Sequence, residues 1–152
     1  MVDNFFSLAS WDLSTALLGA VGFSLALYIH RHKKKSKPLV CPLRSNCEAV
    51  IHSDYSRFVG IPVELLGIYY YLATTLFHAF LVFSPNLTHP AFFLSSLVVA
   101  TGAFLFSLYL VSVQLFILKQ ICTWCLLSAT ISTIIFLITF FSTHFVLGPF
   151  IL

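Results

Sequence analysis

Four long apolar runs, separated by short polar breaks, dominate the chain: Leu13 to Ile29, about Ile61 to Phe83, Ala91 to Leu118, and Ile121 to about Leu147. A membrane-crossing helix needs about 20 predominantly apolar residues, and each run comes close to or exceeds that length. The pattern predicts an all-α integral membrane protein, a bundle of four transmembrane helices in one domain spanning residues 1–152. Ser84, Pro85, Asn86 and Thr88-His89-Pro90 break the second run from the third, as a tight turn should. Lys119 and Gln120 leave almost no loop between the third and fourth. With four crossings, the termini and the 84–90 turn share one face of the membrane, while the 30–60 loop and the 119–122 turn share the other.

The 30–60 loop is not uniform. His30 to Pro38 forms a basic hinge, and Leu39 to Cys47 is irregular around Pro42. Glu48 to Phe58 then carries Val50, Ile51, Tyr55 and Phe58 near helical spacing, which predicts a short amphipathic helix lying at the interface. Gly60 and Pro62 mark its stop and the start of the second span. Residues 1–12 are polar and aromatic, without Lys or Arg. They lack the basic n-region of a secretory signal, and no Ala-x-Ala-like site follows the first run, so that run is expected to be retained.

Composition excludes the soluble alternatives. Hydrophobic residues make up 59% of the 152 and charged ones only 9%, against roughly a quarter charged in an ordinary soluble domain. The formal charge of +3 is less informative than where the bases lie. Arg31, Lys33, Lys34, Lys35, Lys37, Arg44 and Arg57 fall in one stretch, and Lys119 stands alone. In a soluble protein such a cluster would raise nucleic-acid binding; beside an apolar span it is a topology signal, and no nucleic-acid partner is expected. All eight bases share the face of the 30–60 loop, which the positive-inside rule assigns to the cytoplasm.

The chemistry lies in four cysteines on that same face. Cys41 and Cys47 are separated by five residues, and Cys122 and Cys125 form a Cys-Thr-Trp-Cys motif at the head of the fourth span. Packing would explain scattered cysteines but not two close pairs. Two static disulfides and a four-thiolate zinc site remain alternatives, although the short Cys122–Cys125 loop gains little from cross-linking and the five-residue spacing is loose for zinc. Thiol–disulfide exchange accounts for more. The unpaired N–H groups of a helix N-terminus favour a thiolate at Cys122, and Cys125, one turn along, is better placed to meet a membrane-soluble reactant.

The loop Cys41-Pro-Leu-Arg-Ser-Asn-Cys47, then Ser53, Gly60-Ile61-Pro62, Leu66-Gly67, Tyr70-Tyr71 and Cys122-Thr-Trp-Cys125 resembles the vitamin K epoxide reductase family, particularly its bacterial members, over roughly residues 13 to 145. The resemblance implies a four-helix bundle around a quinone pocket, with ubiquinone, menaquinone or a related quinone as electron acceptor. By position it implies that Cys41 exchanges with a separate thioredoxin-like protein, Cys47 passes electrons to Cys122, and Cys125 reacts with the quinone, in support of protein disulfide formation. Ser53 matches the family serine near the active site, or else caps the neighbouring helix. Epoxide-reducing animal members carry a tyrosine where this chain has Ala129 and an asparagine that aligns with Val63, so both departures weigh toward quinone rather than epoxide reduction. Disulfide-forming members usually work on the outer face, against the positive-inside assignment, and the side of the membrane stays open.

Two further residues join the site list. Glu64 is the one carboxyl placed within an apolar span; a role at the quinone competes with ordinary stabilisation of a helix start after Pro62, and the latter is favoured. Trp124 fits interfacial anchoring or packing against the quinone. The six histidines show no paired ligand spacing, and no metal site is expected. The chain ends soon after the fourth span, so no fused thioredoxin-like domain is expected.

Overall fold

The computed structural model describes residues 2–35, 39–42, 45–84 and 89–151. Lys37, Arg44 and most of the 84–90 turn lie outside the described residues. Helix α1 runs Val2–Lys34, α2 Cys47–Ile51, α3 Val63–Phe83, α4 Pro90–Ser112 and α5 Thr123–Ile151. Four segments are long and apolar enough to cross a membrane: Ser7–Lys34, Val63–Phe83, Pro90–Leu118 and Thr123–Gly148. The protein is thus a multi-pass, all-α membrane bundle. Helix α1 packs on α3 and α5, and α4 packs on α5. Large apolar side chains such as Leu17, Leu76, Val98 and Phe141 point outward on all four spans, where lipid is their solvent.

The first span starts earlier than its apolar run. Asp12 and Trp11 look like the polar flank of a helix that begins near Leu13, yet α1 passes straight through them. Asp12 is buried, its Oδ1 lying 2.8 Å from His78 Nδ1 on α3, and His78 Nε2 is 3.0 Å from Ser96 Oγ on α4. A buried charge is tolerated when paired and hydrogen-bonded, so Asp12 belongs inside the bundle and Glu64 is not its sole buried carboxyl. The hinge expected from His30 is also helical up to Lys34, where Arg31, His32, Lys33 and Lys34 fill the last turn and complement the helix dipole.

The amphipathic helix expected over Glu48–Phe58 forms only in its first part. Asn46 caps α2 by accepting from Ala49 N–H, but the helix stops at Ile51. Ser53 is the cause: its Oγ donates back to Val50 O at 2.7 Å, a local side-chain bond that competes with continued helix. A single 3₁₀ turn at Asp54–Ser56 follows, then a two-stranded hairpin, β1 Arg57–Phe58 paired antiparallel with β2 Ile61–Pro62. Its two-residue turn, Val59 and Gly60, has positive φ at both positions (53° and 82°). That is the primed turn that suits a tight hairpin, and Gly60 serves the turn rather than a helix end.

Between α4 and α5 the chain widens into a π turn at Val113–Leu118 and closes with Lys119 in the left-handed conformation. The widening directs Gln114 inward, where it is buried and its Oε1 accepts the Cys122 N–H at 3.2 Å. An N–H otherwise orphaned at the head of α5 is thereby satisfied.

Candidate thiol-redox site

All four cysteines gather at the end of the bundle formed by the loop and the head of α5. Cys41 and Cys47 are joined by a disulfide, with their Cα atoms 6.2 Å apart; Cys122 and Cys125 are free thiols. The sulfurs differ sharply in access. Cys41 is half-buried on the loop, Cys47 (1% exposed) and Cys122 (0%) are sealed in one apolar cluster with Leu25, Ile29 and Val50, and Cys125 is half-buried against a cavity. That cavity has a volume of about 400 Å³ and lies between α1, α3, α4, α5 and the loop.

Local structure sets the chemistry of the second pair. Cys122 stands immediately before α5 and caps it: its Sγ accepts the Cys125 N–H at 3.3 Å, and its carbonyl accepts the Leu126 N–H at 3.0 Å. The Cys125 thiol donates to Cys122 Sγ at 2.6 Å. That donated hydrogen bond holds the Cys122 pKa below the ordinary thiol range against opposing burial, and the backbone N–H groups of Cys125 and Trp124 add to the lowering. Cys122 is thus the thiolate-forming member.

Ser53 lines the cavity while its hydroxyl is engaged with Val50 O, so it both ends α2 and borders the site. Glu64 also lines the cavity, and it stands in the first turn of α3, where a carboxylate complements the helix dipole. Its carboxylate does not cap α3; it meets Lys33 Nζ at 3.1 Å through Oε1 and 3.3 Å through Oε2, with His30 Nδ1 at 3.8 Å. Lys33 Nζ also donates to Ser56 Oγ at 3.3 Å. The buried carboxylate at this helix start is matched by a basic partner from α1.

Trp124 is not among the residues lining the cavity and turns toward the loop instead. Its Nε1 donates to Val40 O at 3.0 Å, and its ring stacks obliquely on Tyr28, centroids 5.1 Å apart. The neighbouring Thr123 also turns to the loop, Oγ1 to Pro42 O at 3.1 Å.

Tyr70 and Tyr71 entered the sequence reading only through the family resemblance, and Gln114, Ser128 and Ser132 did not enter it. Tyr70 and Ser132 line the wall, and their hydroxyl oxygens are buried without a hydrogen-bond partner among the described residues. Tyr71, 2% exposed, donates to Ser128 O at 2.7 Å and lies 3.0 Å from Ser128 Oγ, joining α3 to the turn after Cys125. Gln114 was visible as a polar residue inside an apolar run, a signal of function in membrane segments. Ser128 and Ser132 follow Cys125 at helical spacing, which puts them on its face of α5.

An α-helical membrane bundle that collects two cysteine pairs at one end, one of them opening on an apolar cavity, is built for membrane thiol chemistry. The chain belongs to the vitamin K epoxide reductase family, whose sequence profile matches residues 13–140, and is an oxidoreductase that works through its cysteines. A comparison with curated proteins returned no match.

Proposed function

We propose that the protein oxidises a thioredoxin-like dithiol protein and passes the electrons through its two cysteine pairs to a membrane quinone, supporting disulfide formation in other proteins. The observation that carries this reading is the order along the four sulfurs: half-buried Cys41 on the loop, sealed Cys47 and Cys122, and Cys125 at the cavity. A relay between an aqueous and a lipid-soluble reactant needs that order.

The exchange steps balance in thiols. A partner thiolate attacks Cys41 Sγ, the Cys41–Cys47 bond breaks, and Cys47 leaves as a thiolate; the partner's second thiol then displaces Cys41 and completes the partner's disulfide. Cys47 attacks Cys122 of an oxidised Cys122–Cys125 pair, releasing Cys125. Cys41 then attacks Cys47, restoring the loop disulfide and releasing Cys122.

A bound quinone would supply the capacity to take up two electrons and two protons. The cavity fits its head group: the walls are mainly apolar, and the unpartnered Tyr70 and Ser132 hydroxyls offer donors to carbonyl oxygens. Cys125 and Glu64 line the same space, the Glu64 carboxylate being held by Lys33. Ala129 and Val63 line the cavity without polar groups. The donors are therefore drawn from positions other than those of the epoxide-reducing members.

The test is oxidation of a reduced thioredoxin-like protein by the protein in liposomes with and without quinone. Quinone-dependent oxidation is the expected result. Reduction of vitamin K epoxide in preference to quinone would point to epoxide chemistry, and one bound zinc per chain with no thiol oxidation would point to a structural metal site. The described Lys and Arg residues all lie at the cysteine end, so the positive-inside bias favours a cytoplasmic site. Labelling of Cys41 by an impermeant thiol reagent from each side reads the orientation.

A further inference from the structure

The two residues enclosed by Cys122 and Cys125 turn away from the cavity and grip the other cysteine pair's loop. Trp124 Nε1 donates to Val40 O at 3.0 Å and Thr123 Oγ1 to Pro42 O at 3.1 Å, so the carbonyls immediately before and after Cys41 are both held from inside the Cys-x-x-Cys motif. Ser45 completes the contact. Its Oγ is 2.6 Å from Thr123 Oγ1, 3.1 Å from Pro42 O and 3.6 Å from Cys47 Sγ. Each hydroxyl has one proton, so with Thr123 donating to Pro42 O, Ser45 donates to Thr123 Oγ1. The Trp124 ring is fixed in turn against Tyr28 of α1, whose ring lies 4.4 Å from that of His32.

We propose that Thr123 and Trp124 are positioning residues that latch the Cys41–Cys47 loop to the head of α5, with Ser45 as the loop hydroxyl that meets Thr123. The inference rests on the relay proposed above. Each time the partner opens the Cys41–Cys47 bond, the loop loses its covalent closure, and Cys41, Ser45 and Asn46 lie outside any helix ahead of Cys47. The three side-chain hydrogen bonds do not depend on the redox state of the sulfurs. They keep both loop thiols beside Cys122 while the disulfide is open, which raises the effective concentration of Cys47 toward Cys122.

The test uses the full chain with Cys41→Ser and Cys125→Ser, leaving Cys47 and Cys122 as the two thiols. In a glutathione buffer these oxidise to one disulfide while one oxidised glutathione becomes two reduced ones, and the equilibrium ratio gives the effective concentration. Thr123→Val removes the hydroxyl with little change of shape, Trp124→Phe removes the ring N–H, and Thr123→Ser keeps the hydroxyl. The expected result is a fall of about fivefold or more for Thr123→Val and for Trp124→Phe, as loss of one hydrogen bond each implies, with Thr123→Ser near the parent. The same substitutions in a Cys41→Ser/Cys47→Ser chain should move the Cys122–Cys125 equilibrium by less. Undiminished Cys47–Cys122 formation in both variants would overturn the latch, as would an equal shift in the Cys122–Cys125 equilibrium. Failure of the parent to form the Cys47–Cys122 disulfide would instead overturn the relay. Ser45→Ala, which lies outside α5, gives a second route to the same loss should a substitution in the motif prevent folding.

Discussion

Gly22→Ala should damage the bundle through a single methyl group. A Cβ at Gly22 would lie 2.5 Å from two ring carbons of Tyr71 and 2.8 Å from a third, far inside van der Waals contact. The Tyr71 ring has no free direction in which to yield, being 2% exposed and tied by its hydroxyl to Ser128 O and Oγ on α5. Either α1 and α3 separate or the Tyr71–Ser128 bond breaks. Overpacking of this kind costs about 1–3 kcal/mol, and a lost buried hydrogen bond about 1 kcal/mol more. A total of roughly 1–4 kcal/mol corresponds to a Tm lower by roughly 2–16 °C at 2–4 °C per kcal/mol for a chain of this size. Thermal unfolding in detergent micelles measures the shift. Gly148→Ala is the control, since a Cβ there meets nothing within 4 Å, and its Tm should hold or rise slightly from helix propensity. Combining Gly22→Ala with Tyr71→Ala should cost less than the sum of the two, because the ring that clashes is gone. A Gly22→Ala Tm equal to that of Gly148→Ala, or strict additivity in the double variant, would refute the reasoning.

Two other outcomes follow from the site. Lys33→Met strands the Glu64 carboxylate, whose side chain is 7% exposed, and should cost about 3 kcal/mol in thermal unfolding. Adding Glu64→Gln should recover most of that loss; a double variant as unstable as the single would show that the ion pair is not the cause. Cys122 should titrate below the ordinary thiol range, so its exchange reactivity persists down to that lowered pKa and is lost as pH falls through it. In a Cys41→Ser/Cys47→Ser chain, Cys125→Ala removes the principal cause and should move the midpoint of thiolate ultraviolet absorbance upward, whereas an unmoved midpoint would contradict the assigned cause.

The four spans were legible because a membrane helix announces itself by length and apolarity alone, and counting crossings was enough to bring the cysteines to one end. The start of α1 was not, because the environment of Asp12 is set by His78, 66 residues away, and no local pattern records that pairing. The same holds for Glu64. Its partner Lys33 sits in what the charge pattern marks as a solvated basic stretch, and only the packing of α1 on α3 brings the two together. The helix over Glu48–Phe58 had the right apolar spacing but contained its own stop, the Ser53 hydroxyl turning back on Val50.

The cavity was implied by resemblance, yet its polar lining was only partly readable. Gln114, Ser128 and Ser132 are visible as polar residues within apolar runs, but which of them face Cys125 depends on how α4 and α5 are rotated against each other. Trp124 is a different case. Its place in the Cys-x-x-Cys motif pointed toward the quinone, whereas the head of α5 presents it to the loop. Residue type within a motif indicates chemistry; the direction of the side chain is a property of the fold.

The central claim is that electrons enter at Cys41 and leave at Cys125, and quinone reduction in proteoliposomes with two alternative donors tests it most directly. Cys125→Ala should abolish quinone reduction with either a thioredoxin-like dithiol protein or a small dithiol, whereas Cys41→Ala should lose the protein-driven reaction and keep the small-dithiol one. Quinone reduction that survives Cys125→Ala, or full protein-driven activity in Cys41→Ala, would contradict the relay.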